Sequence, residues 1–443
     1  MPFSPTDSHL YAALFRDEEL AAHFTDERFL QYLLAVEGAL ATTQGKLGII
    51  PAAAADTIAE RATTVSLDLN RLQAATEKAG LPIIELVRQL RAHVGADAGP
   101  YVHWGATTQD IMDTALVLQM RAALALIEAK LHTVITQLGQ LAEQHRHTIM
   151  AGRTHSQQAL PITFGLKVVG WMAPLLRHRE RLGELKPRLL VVQFGGAAGT
   201  LASLGERGLA VVDGLAAELN LQVPALPWHT QRDNLVEVAH WLTLVSGSLA
   251  KMAQDIILLA QSEVGEVRES ADPTRGGSST MPQKNNPIVS ELIIAAARTN
   301  AGLLSSMHQA MIQEHERATH GWQLEWLNLP QIFALTTAAL NKAILLSANL
   351  DIDVGRMAAN VAASKGMMLA EAVSFALAEK MDRITAKQLV ADALQIALRD
   401  QRHLLDVVQE IAPVTLDWEH LKDEQHYLGV TQQLIERALI DID

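Results

Sequence analysis

A glycine-led polar loop at residues 275–287 carries the residue types best suited to chemistry. It reads Arg-Gly-Gly-Ser-Ser-Thr-Met-Pro-Gln-Lys-Asn-Asn-Pro and lies between two strongly helical stretches. Glycines let backbone N–H groups approach a ligand, hydroxyls follow, and Lys284 supplies a cation. Asn286 and Pro287 are typical of an N-cap followed by proline at the first helical position, so we expect a positive helix end that favours anions. The alternative, on residue chemistry alone, is a flexible connector before a helix.

A second polar block, residues 152–161, places a cation, a hydroxyl, an imidazole and an amide shortly before a proline. We predict that Pro161 starts a helix at this point. The side chains concerned are Arg153, Thr154, His155 and Gln157. The alternative for a single histidine such as His155 is a structural role.

The polar block that comes first along the chain, residues 103–110, reads His-Trp-Gly-Ala-Thr-Thr-Gln-Asp. Thr107 and Asp110 have the spacing of a capping box that opens the helix after them, which is a purely structural explanation. The same threonines could also hold a carboxylate.

Together the blocks suit a substrate with several carboxylates. They offer three predicted helix N-termini and four side chains that carry or can carry positive charge: His103, Arg153, His155 and Lys284. The chain as a whole has a formal charge of −13, which disfavours nucleic acids and acidic membrane surfaces as partners. A polyanionic substrate would therefore need a site that concentrates its own cations, and these blocks do so.

Long helices must position the blocks. Apolar residues make up 49% of the chain but aromatic residues only 4%, and the surplus of Ala and Leu favours helix. Proline is absent from 101–160, 228–272 and 331–412, where apolar residues recur three and four apart, so we predict long helices there. Strand signals are scarce. We predict an all-α fold with an N-terminal helical domain (1–110), a central long-helix bundle (111–353) and a C-terminal helical domain (354–443).

Several classes of protein and site are disfavoured. The chain has no cysteine, which excludes disulfides, thiolate metal sites and thiol nucleophiles. It shows no signal-like start and no uninterrupted apolar run of about 18 residues, so we predict a cytoplasmic protein. Two histidine pairs lack the carboxylates and the spacing of a metal site: His145 with His147, and His315 with His320. The glycine-rich residues 193–200 lack the preceding strand of a dinucleotide loop. We therefore expect neither a metal nor an organic cofactor.

Residues 277–287 resemble the signature of the fumarase/aspartase superfamily. They agree at all eight fixed positions of Gly-Ser-Ser-x-Met-Pro-x-Lys-x-Asn-Pro. Residues 152–161 resemble its Thr-His-x-Gln segment, and residues 103–110 its His-x-Gly-x-Thr-Ser segment, with Thr108 where serine is commoner. The resemblance implies a three-unit helical fold and a homotetramer with active sites shared between subunits. It also implies a reaction through a carbanion held as an aci-carboxylate.

The resemblance also implies roles for single residues. Ser278 would carry a proton, Lys284 and Asn286 would stabilise negative charge, and His155 would act either as an acid or as a binding residue. Substrate contacts are implied for a larger group: His103, Thr107, Thr108, Gln109, Arg153, Thr154, Gln157, Ser279, Met281 and Arg317.

Segments outside these motifs resemble the cycloisomerase branch of the superfamily, in which a substrate carboxylate adds within its own molecule. They are residues 193–200, 227–233, 313–317 and 426–429. Trp322 and Trp326 stand where adenylosuccinate lyase has serine and arginine, and the missing arginine argues against a nucleotide phosphate. The alternatives are a sister lyase, for adenylosuccinate or argininosuccinate, and a non-catalytic helical assembly protein.

Overall fold

The computed structural model describes residues 4–269, 277, 281 and 284–442, and helices dominate them. The first helices are α1 (Ala12–Phe15), α2 (Glu18–Ala21), α3 (Asp26–Lys46), α4 (Ala52–Thr64), α5 (Leu69–Ala79) and α6 (Ile83–Val94). The middle helices are α7 (Thr108–Gln144), α8 (Phe164–Leu189), α9 (Gly208–Leu219), α10 (Asp233–Leu259), α11 (Ile288–Ala310) and α12 (Gly321–Asn349). The last are α13 (Val354–Ala363), α14 (Ala370–Ala378), α15 (Arg383–Asp400), α16 (Leu404–Ile411), α17 (Trp418–Lys422) and α18 (Thr431–Leu439). The predicted all-α class is confirmed.

Two short antiparallel strand pairs occur within the described residues. Strand β1 (Ile149–Thr154) pairs with β2 (Gln157–Thr163), with Ile149 opposite Thr163. Strand β3 (Val267–Arg268) pairs with β4 (Asp351–Ile352). The long helix predicted within 101–160 is α7, and the chain turns into a hairpin after it.

Proline is a weaker helix breaker here than predicted. Pro330 lies inside α12, whereas the proline-free stretch predicted a helical region from residue 331 onward. Proline removes one backbone hydrogen bond from a helix. The side-chain amide of Asn328 donates to the carbonyl of Leu324 at 2.6 Å, which gives this stretch an additional hydrogen bond.

The chain divides into two compact units, each assembled from three segments. Unit 1 comprises Met1–Lys130, His178–Gly247 and Ala295–Asn341, and unit 2 comprises Leu131–Arg177, Ser248–Ile294 and Lys342–Asp443. In unit 1, α3 packs on α4 and α9 and buries its apolar face. In unit 2, α14, α15 and α16 share a core that includes Val373, Leu377 and Leu404. The predicted division into three domains follows chain order and stays a prediction.

Three described helices, α10, α11 and α12, are long and apolar enough to cross a membrane, judged by length and composition alone. The bent pair formed by α13 with residues 367–378 meets the same criterion. Charged residues interrupt the three long helices: Lys251 in α10, Arg298 in α11 and Glu325 in α12. In unit 1 the buried amide of Asn300 in α11 donates to Ser246 Oγ in α10 at 3.1 Å and to Thr336 Oγ1 in α12 at 2.9 Å. The three helices thus contact one another through a buried polar cluster.

Candidate active site

The first polar block forms the turn that leads into α7 in unit 1. His103 and Gly105 adopt left-handed backbone conformations, with φ of 65° and 76°. Nδ1 of His103 lies 2.6 Å from a carboxylate oxygen of Glu37, which is buried on α3. The N–H of Thr107 donates to the Asp110 carboxylate at 3.0 Å. This bond is the half of the predicted capping box in which the acidic side chain reaches back to the N-cap N–H, and the hydroxyl of Thr107 accepts from Arg317.

Glu37 controls the charge of His103. Burial by itself lowers the pKa of His103, but the charge of Glu37, its hydrogen bond and the charge of Asp110 together raise that pKa above its ordinary value. His103 therefore remains protonated to higher pH than a free histidine. It can present a cation close in sequence to the hydroxyls of Thr107 and Thr108.

Replacing Glu37 with glutamine should remove a stabilising contribution that depends on pH. Because the folded-state pKa of His103 is raised, this contribution is fully present below the ordinary value of 6.5 and is lost as pH rises through the raised value. Urea unfolding should be measured at about pH 6 and about pH 9. The difference in the free energy of unfolding between wild type and Glu37→Gln should be larger at the lower pH. Glu27→Gln, at an exposed position in the first turn of the same helix, is the control and should differ from wild type by the same amount at both pH values. An equal gap at both pH values contradicts the assignment.

Two predicted substrate-binding residues meet in unit 1. A guanidinium N–H of Arg317 donates to Thr107 Oγ1. Arg317 follows His315, whose φ of 48° is left-handed, and Thr108 is the first residue of α7. A guanidinium and a hydroxyl at the N-terminus of a long helix are well suited to a carboxylate.

The buried carboxylate of Asp110 holds the first block in place. It is 0% exposed and accepts hydrogen bonds from the N–H groups of Thr107 at 3.0 Å and of Gly195 and Gly196 at 2.9 Å each. Nε2 of His229 lies 2.7 Å from one of its oxygens. The glycine-rich residues 193–200 therefore contribute a backbone cradle for a carboxylate of the protein itself.

A second buried charge cluster in unit 1 surrounds Arg232. Its guanidinium donates to both oxygens of Asp113, at 2.6 and 3.0 Å, and to both oxygens of Glu325, at 2.8 and 2.6 Å. Gln109 donates to Asp113 at 3.1 Å and to the carbonyl of His229 at 2.9 Å. Gln109 is only 2% exposed. The structure thus places this predicted substrate-binding residue within the buried cluster, where its amide N–H groups already have partners.

The second block forms the tip of the β1–β2 hairpin in unit 2. Thr154 pairs with Gln157, so His155 and Ser156 form a two-residue turn, with φ of 49° and 64°. Two-residue hairpin turns of this kind favour asparagine and glycine, so a histidine and a serine there are strained. Thr154, His155 and Gln157 are all exposed at the tip.

The helix predicted to start at Pro161 is wrong. Pro161 lies in β2, opposite Ala151, and α8 begins at Phe164. A proline lacks the N–H that a sheet ladder uses, but a two-stranded ribbon tolerates it at a position where no partner needs that N–H. The polar residues of the block are therefore carried by a hairpin and not by a helix end.

Arg153, on β1, is anchored by a buried carboxylate. Its two terminal nitrogens lie 2.9 and 2.7 Å from the two carboxylate oxygens of Glu266, whose side chain is 0% exposed. Asn360 of α13 donates to the same carboxylate at 2.8 Å. Glu266 immediately precedes β3, so it ties the hairpin to the chain that enters the signature loop. The predicted ligand contact of Arg153 stays a prediction, and in the structure its charge is balanced by Glu266.

Glu266→Gln should loosen this hairpin. The substitution replaces a carboxylate oxygen by an amide that cannot accept from Arg153, and the loss of a charged hydrogen-bond partner costs about 1.5–3 kcal/mol. Hydrogen exchange of residues 149–163 should become faster, and the midpoint of urea unfolding should fall. Glu263→Gln, at an exposed position three residues earlier, is the matched control. Unchanged exchange in the hairpin would show that Glu266 does not hold it.

Part of the signature loop lies within the described residues. Gly277 forms an antiparallel bridge with Asn285, and the N–H of Lys284 donates to the carbonyl of Met281 at 3.0 Å. Lys284 and Met281 are exposed. Ser278 and Ser279 lie outside the described residues, so the roles implied for them stay predictions, as do those of Lys284 and Asn286.

The N-terminus of α11 differs from the prediction. The carboxylate of Glu269 accepts from the N–H groups of Val289 at 2.9 Å and Ser290 at 2.6 Å, and the helix begins at Ile288. The prediction that Asn286 caps a helix end free to receive an anion is therefore wrong, because a carboxylate of the protein already occupies it. The groups still predicted to stabilise negative charge on a ligand here are Lys284, Asn286 and the backbone of the loop.

Two of the histidines considered as metal ligands, His145 and His320, have local explanations. His145 is buried, contacts Phe164 edge-on and lies 3.1 Å from the hydroxyl of Thr148. His320 is exposed and lies 3.2 Å from Glu314. In the described part of the chain, no group of three or more His, Asp or Glu side chains is arranged to hold a metal ion.

Sequence reasoning missed the buried carboxylates that support the two blocks and the loop: Glu37, Asp113, Glu266, Glu269 and Glu325. A signal existed for Glu37, which lies three and four residues from apolar positions of α3 that face the core. Glu266 and Glu269 lie in irregular chain next to a two-residue strand, where no periodicity indicates which side chains point inward.

Comparison with known proteins identifies the family. A protein-family model of lyases matches residues 15–302, which include all three polar blocks. The chain belongs to this lyase family, within the fumarase/aspartase superfamily. The superfamily membership predicted from the three blocks is thus confirmed.

Individual members of the lyase family match along almost the whole chain. The chain is 46% identical to 3-carboxy-cis,cis-muconate cycloisomerase of Pseudomonas aeruginosa, over 98% of this chain and 96% of that protein. It is 40% identical to trans-aconitate decarboxylase 1 of Mycosarcoma maydis, over 96% and 87% respectively. The crystal structure of the 3-carboxy-cis,cis-muconate lactonizing enzyme from Pseudomonas putida matches with a TM-score of 0.92 at 43% identity, over 98% of this chain and 99% of that one.

Proposed function

We propose that this chain is a cycloisomerase that converts 3-carboxy-cis,cis-muconate to 4-carboxymuconolactone, a step in the breakdown of aromatic compounds. The observation that carries the proposal is similarity over almost the full length to cycloisomerases, both in sequence and in fold. The signature loop agrees with the superfamily pattern at every fixed position, which favours an active enzyme over a structural relative.

The reaction is an addition within one molecule. A carboxylate oxygen of the substrate attacks a carbon of the diene and closes the lactone ring, so no base is needed to make the nucleophile. The displaced π electrons move to the carbon beside another carboxylate, which becomes an aci-carboxylate. Ser278 then delivers a proton to that carbon and is reprotonated from solvent. Atoms and charge balance without an oxidant or a second substrate.

Cationic and polar side chains of the blocks stabilise the negative charge of this intermediate. Lys284 and Asn286 follow Ser278 in the signature loop and are suited to stabilise the aci-carboxylate in a site closed from water. His155 binds and orients the substrate, because a carboxylate nucleophile leaves no departing group that needs an acid. Thr107 and Arg317, already joined in unit 1, are suited to hold a further substrate carboxylate.

The enzyme acts as a cytoplasmic homotetramer with active sites shared between subunits. Apolar side chains that an isolated chain leaves exposed on the long helices support assembly: Leu244 and Leu258 on α10, Ile288 on α11 and Leu327 on α12. Absence of cysteine is consistent with a reducing compartment. Light scattering of the purified protein should give four times the 48.2 kDa chain mass, and a monomer would contradict shared sites.

Incubation with 3-carboxy-cis,cis-muconate tests the activity directly. Closure of the ring removes the conjugated diene, so its ultraviolet absorbance should fall and one lactone should form for each diene lost. Trans-aconitate, adenylosuccinate and argininosuccinate are the comparison substrates. Release of carbon dioxide from trans-aconitate, or cleavage of either succinate compound, at a higher kcat/KM would replace the proposal. A folded tetramer that leaves all four compounds unchanged would favour a structural role.

A further inference from the structure

A polar cavity of about 460 Å³ lies in unit 2 beside the hairpin that carries His155. Its hairpin wall is formed by Arg153, Ser156, Gln157 and Gln158, of which Arg153 and Gln157 are also predicted substrate contacts. The facing wall includes Ser364 and Lys365, from the end of α13 and the turn after it. This facing wall belongs to none of the three polar blocks and has no part in the proposed reaction.

The lining of this cavity favours anions. Lys365 contributes a positive charge, the charge of Arg153 is balanced by Glu266 behind the wall, and the other polar groups are serine hydroxyls and glutamine amides. None of the described residues that line it carries a carboxylate, although the whole chain has a formal charge of −13. A volume of this size falls within the range of about 300–1,000 Å³ that is typical of small-molecule sites.

The wall of the cavity has unfilled hydrogen-bonding capacity. Lys365 Nζ donates to the carbonyl of Gln401 at 2.8 Å and to its side-chain oxygen at 3.0 Å, which leaves one of its three N–H groups for another acceptor. Within the described structure, the buried hydroxyl of Ser364 has no hydrogen-bond partner. An acceptor oxygen on a ligand would supply a partner for the third N–H of Lys365.

Three of the residues that line this cavity have strained backbone conformations. Ser156, Lys365 and Gln401 line it, and each is a non-glycine residue with left-handed φ, of 64°, 49° and 54°. Such conformations persist only where the surroundings hold them, and they concentrate at functional sites. Ser156 is in addition the neighbour of His155 in the two-residue turn.

We propose that this cavity is an effector site for a small polycarboxylate, and that its occupancy orders the hairpin tip that carries His155. The carbon skeleton of such a ligand matches the apolar part of the lining, formed by Met367, Met368 and Leu398. Inorganic phosphate would leave this apolar surface uncovered. Ordering the tip acts on substrate binding, so the effector changes KM and leaves the chemical step unchanged.

Calorimetric titration of the intact protein with propane-1,2,3-tricarboxylate tests the site without any turnover. Lys365→Met removes the cation, and Gln158→Glu adds a carboxylate to the opposite wall with little change of shape. Each should weaken the affected binding about tenfold or more. Lys380→Met, at an exposed lysine of the same C-terminal segment, is the control and should bind like wild type. Gln158→Glu keeps the test valid if Lys365→Met does not fold.

The outcomes separate this proposal from the cycloisomerase proposal. Equal affinity in all four proteins would overturn the effector site, and so would phosphate binding as tightly as the tricarboxylate. The effect on KM rests on the proposed function, whereas the binding does not. Binding that is lost in Lys365→Met, in a protein inactive on 3-carboxy-cis,cis-muconate, would therefore retain the effector site and reject the activity. Normal turnover, together with tricarboxylate binding that is unchanged in the variants, would retain the cycloisomerase activity and reject the effector site.

Discussion

Ser278→Ala is expected to lower kcat for 3-carboxy-cis,cis-muconate by about 10²–10⁴-fold, the usual contribution of a positioned proton donor. Without the hydroxyl, the carbanion formed by ring closure has no adjacent proton source and returns to the open diene. Substrate binding should change little, because carboxylate contacts remain in the other blocks. Pre-steady-state absorbance measurements, combined with calorimetric binding of substrate to the slow variant, separate the two quantities.

His155→Ala is the matched comparison and should show the opposite pattern. Because the nucleophile is already ionised, the reaction needs no acid at a departing group, and His155 should contribute mainly to binding. Its variant should therefore raise KM more than it lowers kcat. Comparable losses of kcat in both variants would reject this division of roles and would restore an acid function for His155.

Arg232→Met is expected to destabilise the fold by about 3–5 kcal/mol, because it removes the shared partner of two buried carboxylates. Asp113 and Glu325 are each only 1% exposed, and their four oxygens accept from this one guanidinium. Trp228 stacks against the same group at 4.9 Å, so packing is lost as well. Denaturant unfolding measures the loss.

The pH dependence and a surface control make this prediction specific. Burial raises the pKa of Glu325, partly opposed by Arg232, so removing Arg232 raises it further. A carboxyl with a raised folded-state pKa disfavours folding above that pKa, and the penalty eases as the group is protonated. The difference in the free energy of unfolding between wild type and Arg232→Met should therefore become smaller as pH falls. Arg188→Met, which breaks an exposed pair with Glu237, should change stability by at most about 1 kcal/mol.

The fold class could be predicted because the helical signal is long and repeated. The segments containing α7 and α10 lack proline and place apolar residues three and four apart, a pattern that few other structures produce. The β1–β2 hairpin could not be predicted in the same way. Its turn is His155-Ser156, which lacks the asparagine or glycine that identifies such turns. Contacts distant in sequence hold it instead, such as Arg153 with Glu266.

The polar residues of the candidate site could be predicted, but their supports could not. Thr107 and Arg317 were identified by motif, and the structure joins them although 210 positions separate them in sequence. The cap of α11 was assigned to the adjacent Asn286 because a local rule favours it, yet Glu269, 20 and 21 residues from the N–H groups it accepts from, provides it. Local rules fail where a buried carboxylate from elsewhere in the chain competes for the same donors.

The partners of Asp110 determine when the first block can form during synthesis of the chain. They follow Asp110 by 85, 86 and 119 residues, and Arg232 follows Asp113 by 119. Loop closure over such distances is slow compared with helix formation. The N-terminal helices therefore leave the ribosome well before the groups that fix residues 103–110. A nascent chain that stops before residue 195 lacks all of these distant partners of Asp110 and Asp113, and the first block becomes rigid only when the later half of unit 1 arrives.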